Sequence, residues 1–183
     1  MKEAVMPRLF TAFDVPSEIA QSLTLLRGGL LSARWIEPSD FHVTLRFIGD
    51  VSPSQMRDID WELRYISRSP FTLTLDELMS FGGDRPRAIV ARVQPHPLLM
   101  EMQAEQERIM RRLGLPPEVR KYTPHITLAR LKGTSAQDVA FYLAQCGLFV
   151  KRSFDVSRVL LMSSRHSVGG GPYVIEAEYP FHS

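Results

Sequence analysis

A short strand pattern is written twice in this chain. Residues 42–48 read His-Val-Thr-Leu-Arg-Phe-Ile, and residues 125–128 read His-Ile-Thr-Leu. Alternating β-branched and apolar residues read as a β-strand, whose side chains point to opposite faces with a period of two. In the first copy that period places His42, Thr44 and Arg46 on one face and turns Val43, Leu45 and Phe47 into a core. In the second it places His125 and Thr127 on one face, with Ile126 and Leu128 on the other. A strand has no structural need to copy a histidine two residues before a threonine. Three other histidines, His96, His166 and His182, lack this context and read as structural or solvent-exposed. Two imidazoles that face one cleft can divide acid and base duties, and two hydroxyls beside them can hold the oxygens of an anion. Such a set suffices for phosphoryl transfer without a metal ion.

The rest of the chain limits what that equipment can act on. Its 183 residues can bury a real core and sit at the upper end of one domain, so a single two-lobed domain over residues 1–183 is expected. A net charge of +2 tolerates an anionic substrate. It is far from the dense basic surface that grips long duplex nucleic acid, so a short or terminal nucleic acid fits better. The lone cysteine, Cys146, can form neither an intramolecular disulfide nor a thiolate metal site, and a reducing, cytoplasmic setting follows. At the end of a helix it reads as structural. No run of ~18 apolar residues is present, so no membrane span is expected. The start of the chain turns polar at Asp14, too early for a signal peptide. Catalytic zinc usually takes three protein ligands, and the motifs bring two, so neither metal nor cofactor is expected. The Gly169–Gly171 run lacks the Lys-Ser/Thr and following helix of a phosphate loop and reads as a hairpin turn.

Hydrophobic periodicity orders the elements. Residues 8–13 read as a strand, with Pro16 and Ser17 stopping it and capping a helix over 17–26 that Gly28 and Gly29 end. A short strand over 33–36 precedes the first motif. Ser52 and Pro53 then start a helix over 53–67, with Ile59, Leu63 and Ile66 on its apolar stripe. Strands follow at 71–75 and 87–93, then the longest helix at 97–113. The second motif strand spans 122–128, a short helix lies around Val139 and Tyr142, and strands close the chain at 154–162 and 173–179. Strands and helices in this order are an α+β pattern rather than regular βαβ winding. The motif copies start at 42 and 125, and each is flanked by a helix and further strands, which suggests a duplicated half.

The paired motifs, with Arg8-Leu-Phe10, Trp35, Phe71-Thr-Leu, Arg85-Pro-Arg87 and Pro124-His-Ile-Thr-Leu-Ala-Arg130, resemble the 2H phosphoesterase superfamily over nearly the whole chain. Within it the chain is similar to the bacterial RNA 2′,3′-cyclic phosphodiesterase branch, also called LigT-like or 2′-5′ RNA ligases. The resemblance implies a bilobal fold in which two antiparallel sheets face a central cleft with helices outside. It implies metal-independent hydrolysis of RNA 2′,3′-cyclic phosphate ends to 2′-phosphomonoesters. His42 matches the proton donor to the leaving oxygen and His125 the proton acceptor from water. Thr44 and Thr127 match the phosphate-binding hydroxyls. Arg46 shares the His42 face as a candidate phosphate contact, and Arg130 joins it only if the strand ends or bulges after Leu128. Phe10, Trp35 and Tyr122 are candidates to stack on the terminal base. The partner implied is an RNA or oligonucleotide with a cyclic phosphate end, tRNA fragments included, acted on by a monomer. Reversible 2′-5′ ligation at the same site is the alternative activity, and an RNA-end binding module without turnover the alternative from another class.

Overall fold

The structure is a computed structural model that describes residues 8–164 and 171–182. His166 and Gly169–Gly170 lie outside the described residues. The elements run β1 (Arg8–Asp14), α1 (Ser17–Leu23), β2 (Ala33–Trp35), β3 (His42–Asp50), α2 (Pro53–Leu63), β4 (Phe71–Phe81), β5 (Ala88–Val93), α3 (Pro97–Arg112), β6 (His125–Leu131), α4 (Ala136–Cys146), β7 (Arg152–Val156), β8 (Arg158–Ser163) and β9 (Val174–Pro180). The fold is α+β, and every strand pairing is antiparallel.

The sheet order is β7-β4-β5-β6-β3-β1-β8-β9, with β2 also on β6. This one sheet falls into two halves, β7-β4-β5-β6 with β2, and β3-β1-β8-β9. They pair through Val43 and Ile126 alone. The rest of that edge of β6 is taken by β2, with Trp35 opposite Ala129 and Arg34 opposite Arg130. The halves interleave along the chain. After β3 and α2 the chain crosses to the other half for β4 through β7, then returns at Ser157 to lay down β8 and β9. The strand expected over 154–162 is therefore two, because Val156 pairs with Phe71 of β4 whereas β8 pairs with β1.

One apolar cluster joins both half-sheets to all four helices, including Leu45, Leu63, Leu75, Leu99, Met110 and Leu128. Full burial of each such side chain stabilises by about 1.5–3 kcal/mol. α2 begins at a capping box in which Ser52 and Gln55 satisfy each other's backbone N–H groups. It ends at Leu63 rather than 67, yet Ile66 is still buried. α1 has Pro16 at its cap position and Ser17 inside the helix, without the expected side-chain cap bond, and a 3₁₀ turn carries it to Leu26. β4 runs on to Phe81, pairing with β5 beyond a register shift at Asp76, which interrupts the alternation and is held by Arg92 with bonds of 2.9 and 2.7 Å.

Strict alternation fails at the same place in each motif strand, and β3 carries a second shift, at Ile48, near its end. Ala12 faces Thr44 while its neighbour Thr11 faces Arg46, so Leu45 is an extra residue. Val90 faces Thr127 while Ile89 faces Ala129, which leaves Leu128 extra. A one-residue bulge exchanges the faces of everything beyond it. Arg46, expected beside His42, is 5% exposed and turned to the helix side, whereas Phe47, expected in the core, is 49% exposed. The bulge at Leu128 buries Ala129 and brings out Arg130.

Candidate active site

His42 opens β3 one residue after the 3₁₀ turn Pro38–Asp40, and His125 opens β6 directly after Pro124. Those approaches put a backbone carbonyl under each ring. Nδ1 of His42 lies 2.8 Å from the Asp40 carbonyl oxygen, and Nδ1 of His125 lies 2.7 Å from that of Thr123. A carbonyl can only accept, so each Nδ1 carries the hydrogen and donates it. Nε2 is left in both rings as the nitrogen that exchanges a proton. Across the antiparallel bridge of Val43 and Ile126, His42 falls on the side of Thr127 and Thr44 on the side of His125.

Two adjoining cavities share Thr44, Phe47 and Arg130. One, of about 330 Å³, contains His42 with Arg8, Phe10, Arg34 and Tyr173. The other, of about 430 Å³, contains His125 with Phe81, Ala88, Arg87, Arg120, Lys121 and Tyr122. The cationic side chains make the pair of cavities receptive to an anion. Burial pushes the His42 imidazole down to about 4; the Asp40 carbonyl opposes this, and the positive charges of His125 and Arg130 add to it. Burial also lowers His125, with the Thr123 carbonyl opposing and Arg130 adding. Both rings are thus neutral in the unliganded protein at pH 7, and a bound anion favours protonation of either.

The remaining sequence candidates divide. Thr44 lines both cavities, and Thr127 is half-buried on the His125 face of β6. Phe10 is 4% exposed, 4.9 Å from the His42 ring, and forms a wall rather than an open platform. Tyr122 donates its hydroxyl to the Thr44 carbonyl at 2.8 Å, and burial raises that phenol above its ordinary value. Trp35 pairs with Ala129, whose side chain lies on the buried face, and packs 5.9 Å from Tyr142. It lines neither histidine cavity. The Arg46 guanidinium is taken by Glu107, at 2.5 Å, and by the carbonyls of Phe47 and, at 2.6 Å, Pro116. His96 caps α3, accepting from the Leu98 N–H at 3.2 Å, and His182 is exposed. Cys146 is half-buried against the core.

Reading the sequence by strict alternation missed Phe47, Arg34, Phe81 and Tyr173. Phe47 is at the position in β3 that Arg130 holds in β6, five residues after the histidine, so the bulge that frees one frees the other. Arg34 is brought to the site by its pairing opposite Arg130. Phe81 meets the His125 ring edge-on at 4.7 Å, and Tyr173 meets that of His42 at 5.0 Å. Among the described residues no three His, Cys, Asp or Glu side chains converge so as to hold a metal ion. No helix among them is long and apolar enough to cross a membrane.

The family described as LigT like phosphoesterase matches residues 13–90 and 92–173. The RNA 2′,3′-cyclic phosphodiesterase of Aeropyrum pernix is 35% identical over 132 residues, which cover 70% of this chain and 75% of that protein. The protein of the same name from Methanothermobacter thermautotrophicus is 28% identical over 174 residues, covering 91% and 94%. Escherichia coli LigT, solved in complex with 3′-AMP, superposes with a TM-score of 0.77 over 97% of this chain and 99% of that one, at 23% identity, and so shares the fold. With a match across most of its length and both His-x-Thr strands at the junction of the half-sheets, the chain belongs to the LigT-like phosphoesterase family.

Proposed function

We propose that this protein hydrolyses RNA 2′,3′-cyclic phosphate ends to 2′-phosphomonoesters, using His42 and His125 as its acid and base. The observation that carries the reading is the shared tautomer. Each Nδ1 is occupied by a carbonyl, so each Nε2 is the exchanging nitrogen, and both rings border adjoining cavities. The names of the relatives support the same substrate class. Nε2 of His125 takes a proton from water as the water oxygen bonds to phosphorus. The P–O3′ bond breaks, and Nε2–H of His42 protonates the departing 3′ oxygen. Thr44, Thr127 and Arg130 hold the non-bridging oxygens as charge builds. Since both imidazoles are neutral beforehand, the anionic substrate itself favours the proton that His42 donates. The partner is an RNA or oligonucleotide carrying such an end, tRNA fragments included, acted on by a monomer in the cytoplasm.

The His125 cavity, at about 430 Å³, is far larger than the ~30 Å³ that one water occupies. That room favours a second reading in which a nucleoside hydroxyl replaces water and the same groups run 2′-5′ ligation. An RNA-end binding module without turnover fits less well, because both proton-exchanging nitrogens are in place. Incubating a nucleoside 2′,3′-cyclic phosphate with the protein and EDTA separates hydrolysis from binding without turnover. A 2′-monophosphate product is expected; no turnover overturns the reading, and a 3′-monophosphate reverses the leaving-group assignment.

A further inference from the structure

The two motif strands match in tautomer, bulge and burial, but not in what closes over the imidazole. His125 meets the edge of one ring, Phe81. His42 is held between two, Phe10 at 4.9 Å and Tyr173 at 5.0 Å, and these also meet each other at 5.1 Å. Tyr173 precedes β9 and is linked to the first motif. Asp40 supplies that link. Its carbonyl accepts from Nδ1 of His42 at 2.8 Å, while its Oδ1 accepts the backbone N–H of Tyr173 at 3.2 Å. The same carboxylate lies so close to Gly171 that a Cβ there would collide with it. Gly171 also has φ +91°, where a side chain is strained. The matching position in the second half is Thr123, which has no carboxylate.

We infer that Asp40 is a positioning residue, clasping residues 171–173 onto the first motif so that Tyr173 walls in His42, and that this clasp makes two otherwise symmetrical histidines unequal. The wall keeps water from the ring and holds its plane between Phe10 and Tyr173. The charged and titratable groups around His42 are Asp40 on its own approach, Asp14 opposite it and Arg8 on β1, Arg34 of β2, His125 and Arg130 of β6, and Tyr173. Loss of the wall returns water to a ring whose protonation burial, with Arg130 and His125, now opposes. For its kinetic readout the inference rests on the phosphodiesterase reading.

The test combines NMR titration of the His42 and His125 ring protons with steady-state kinetics on a nucleoside 2′,3′-cyclic phosphate. Asp40→Ala removes the acceptor, Gly171→Ala wedges the clasp from the other side, and Tyr173→Ala removes the wall without touching Asp40. Each is expected to move the His42 midpoint upward, leave that of His125 in place, and lower kcat by about ten- to a hundredfold with a smaller change in KM. Asp40→Asn retains an acceptor for the Tyr173 N–H and is expected to restore both readouts. Circular dichroism melts keep misfolding apart from loss of the clasp, and Tyr173→Ala decides should Asp40→Ala fail to fold. An unmoved His42 midpoint in Tyr173→Ala overturns the inference, as does an equal shift at His125 or an Asp40→Asn protein that behaves as Asp40→Ala. If the wild-type protein hydrolyses nothing, the phosphodiesterase reading fails and the titrations still decide the clasp.

Discussion

Val43 and Ile126 form the one backbone pairing between β3 and β6, and that bridge sets the two motifs against each other. In an antiparallel crossing the residue before Val43 lies on the side of the residue after Ile126. Each histidine is thereby brought toward the other strand's threonine. Two short sequences that differ only by Val43 against Ile126 thus face one cleft together. The half-sheets are kept adjacent by this bridge and by the core they share.

Removing either imidazole should leave the substrate bound and the chemistry crippled. General acid or base help is worth ~10²- to 10⁴-fold per group, so His42→Ala and His125→Ala should each lose about that much kcat on a nucleoside 2′,3′-cyclic phosphate. Affinity for the 2′-monophosphate should change little. Undiminished turnover by the double variant would place the active site elsewhere.

The lowered imidazoles imply a pH-dependent stability whose sign is fixed. His42 takes up a proton at about 4 in the folded chain, against an ordinary value of 6.5, so its full contribution is present above pH 6.5 and is lost as pH falls toward 4. His125 is lowered too and acts in the same direction. The melting temperature should therefore fall over this window, and fall less in His42→Ala. Bound 2′-monophosphate, which favours the protonated rings, should flatten the slope. A slope identical in wild type and His42→Ala would refute the assignment.

Arg46 should behave as a structural residue rather than a substrate contact. Its side chain is 4% exposed and its partner Glu107 15%, and Glu107 also accepts from Arg111 and from the Glu118 N–H. The hydrogen bond from Arg46 to Pro116 anchors the connection that carries Tyr122 and Thr123 toward His125. Breaking one side of a buried ion pair typically costs ~3–5 kcal/mol. Arg46→Ala should accordingly melt roughly 6–20 °C lower, at about 2–4 °C per kcal/mol for a chain of this size. Thermal melts measure this, and a variant that melts like wild type but has a raised KM would return Arg46 to the substrate list.

Most of the architecture was legible because period-2 and helical spacing survive wherever one face is buried, as in the first half of β4 and in α3. The histidines and threonines were legible for a different reason, their repetition. What alternation could not show was the bulge at Leu45, where the residues carry no turn signal and the extra residue is itself an apolar core side chain. Every misplacement beyond it follows: Arg46 outward, Phe47 inward. The β7–β8 break was hidden likewise, because the chain changes partners across a single residue, Ser157, from β4 to β1. Tyr173 reaches His42 through Asp40, across 133 residues of sequence, and no local pattern reports such a contact.

Phe47 should be the residue on which the terminal base rests. Phe10 is buried against His42, Trp35 packs on Tyr142, and the Tyr122 hydroxyl is committed to the Thr44 carbonyl. That leaves Phe47, half exposed and bordering both cavities, to offer an open aromatic face beside the Arg130 guanidinium. Base stacking on an aromatic side chain is worth ~1–3 kcal/mol and tolerates any base, so Phe47→Ala should raise KM by roughly five- to a hundredfold for purine and pyrimidine substrates alike. Phe47→Trp should keep most of the affinity, and kcat at saturation should move little, because the ring takes no part in proton transfer. Thr44→Ala supplies the contrast. It removes a hydrogen bond to charge worth roughly 1.5–3 kcal/mol, which should appear in kcat as well as KM because that charge grows in the transition state. A Phe47→Ala protein with unchanged KM and intact folding would leave the base unsupported by β3 and send the search to Phe81, the ring beside His125.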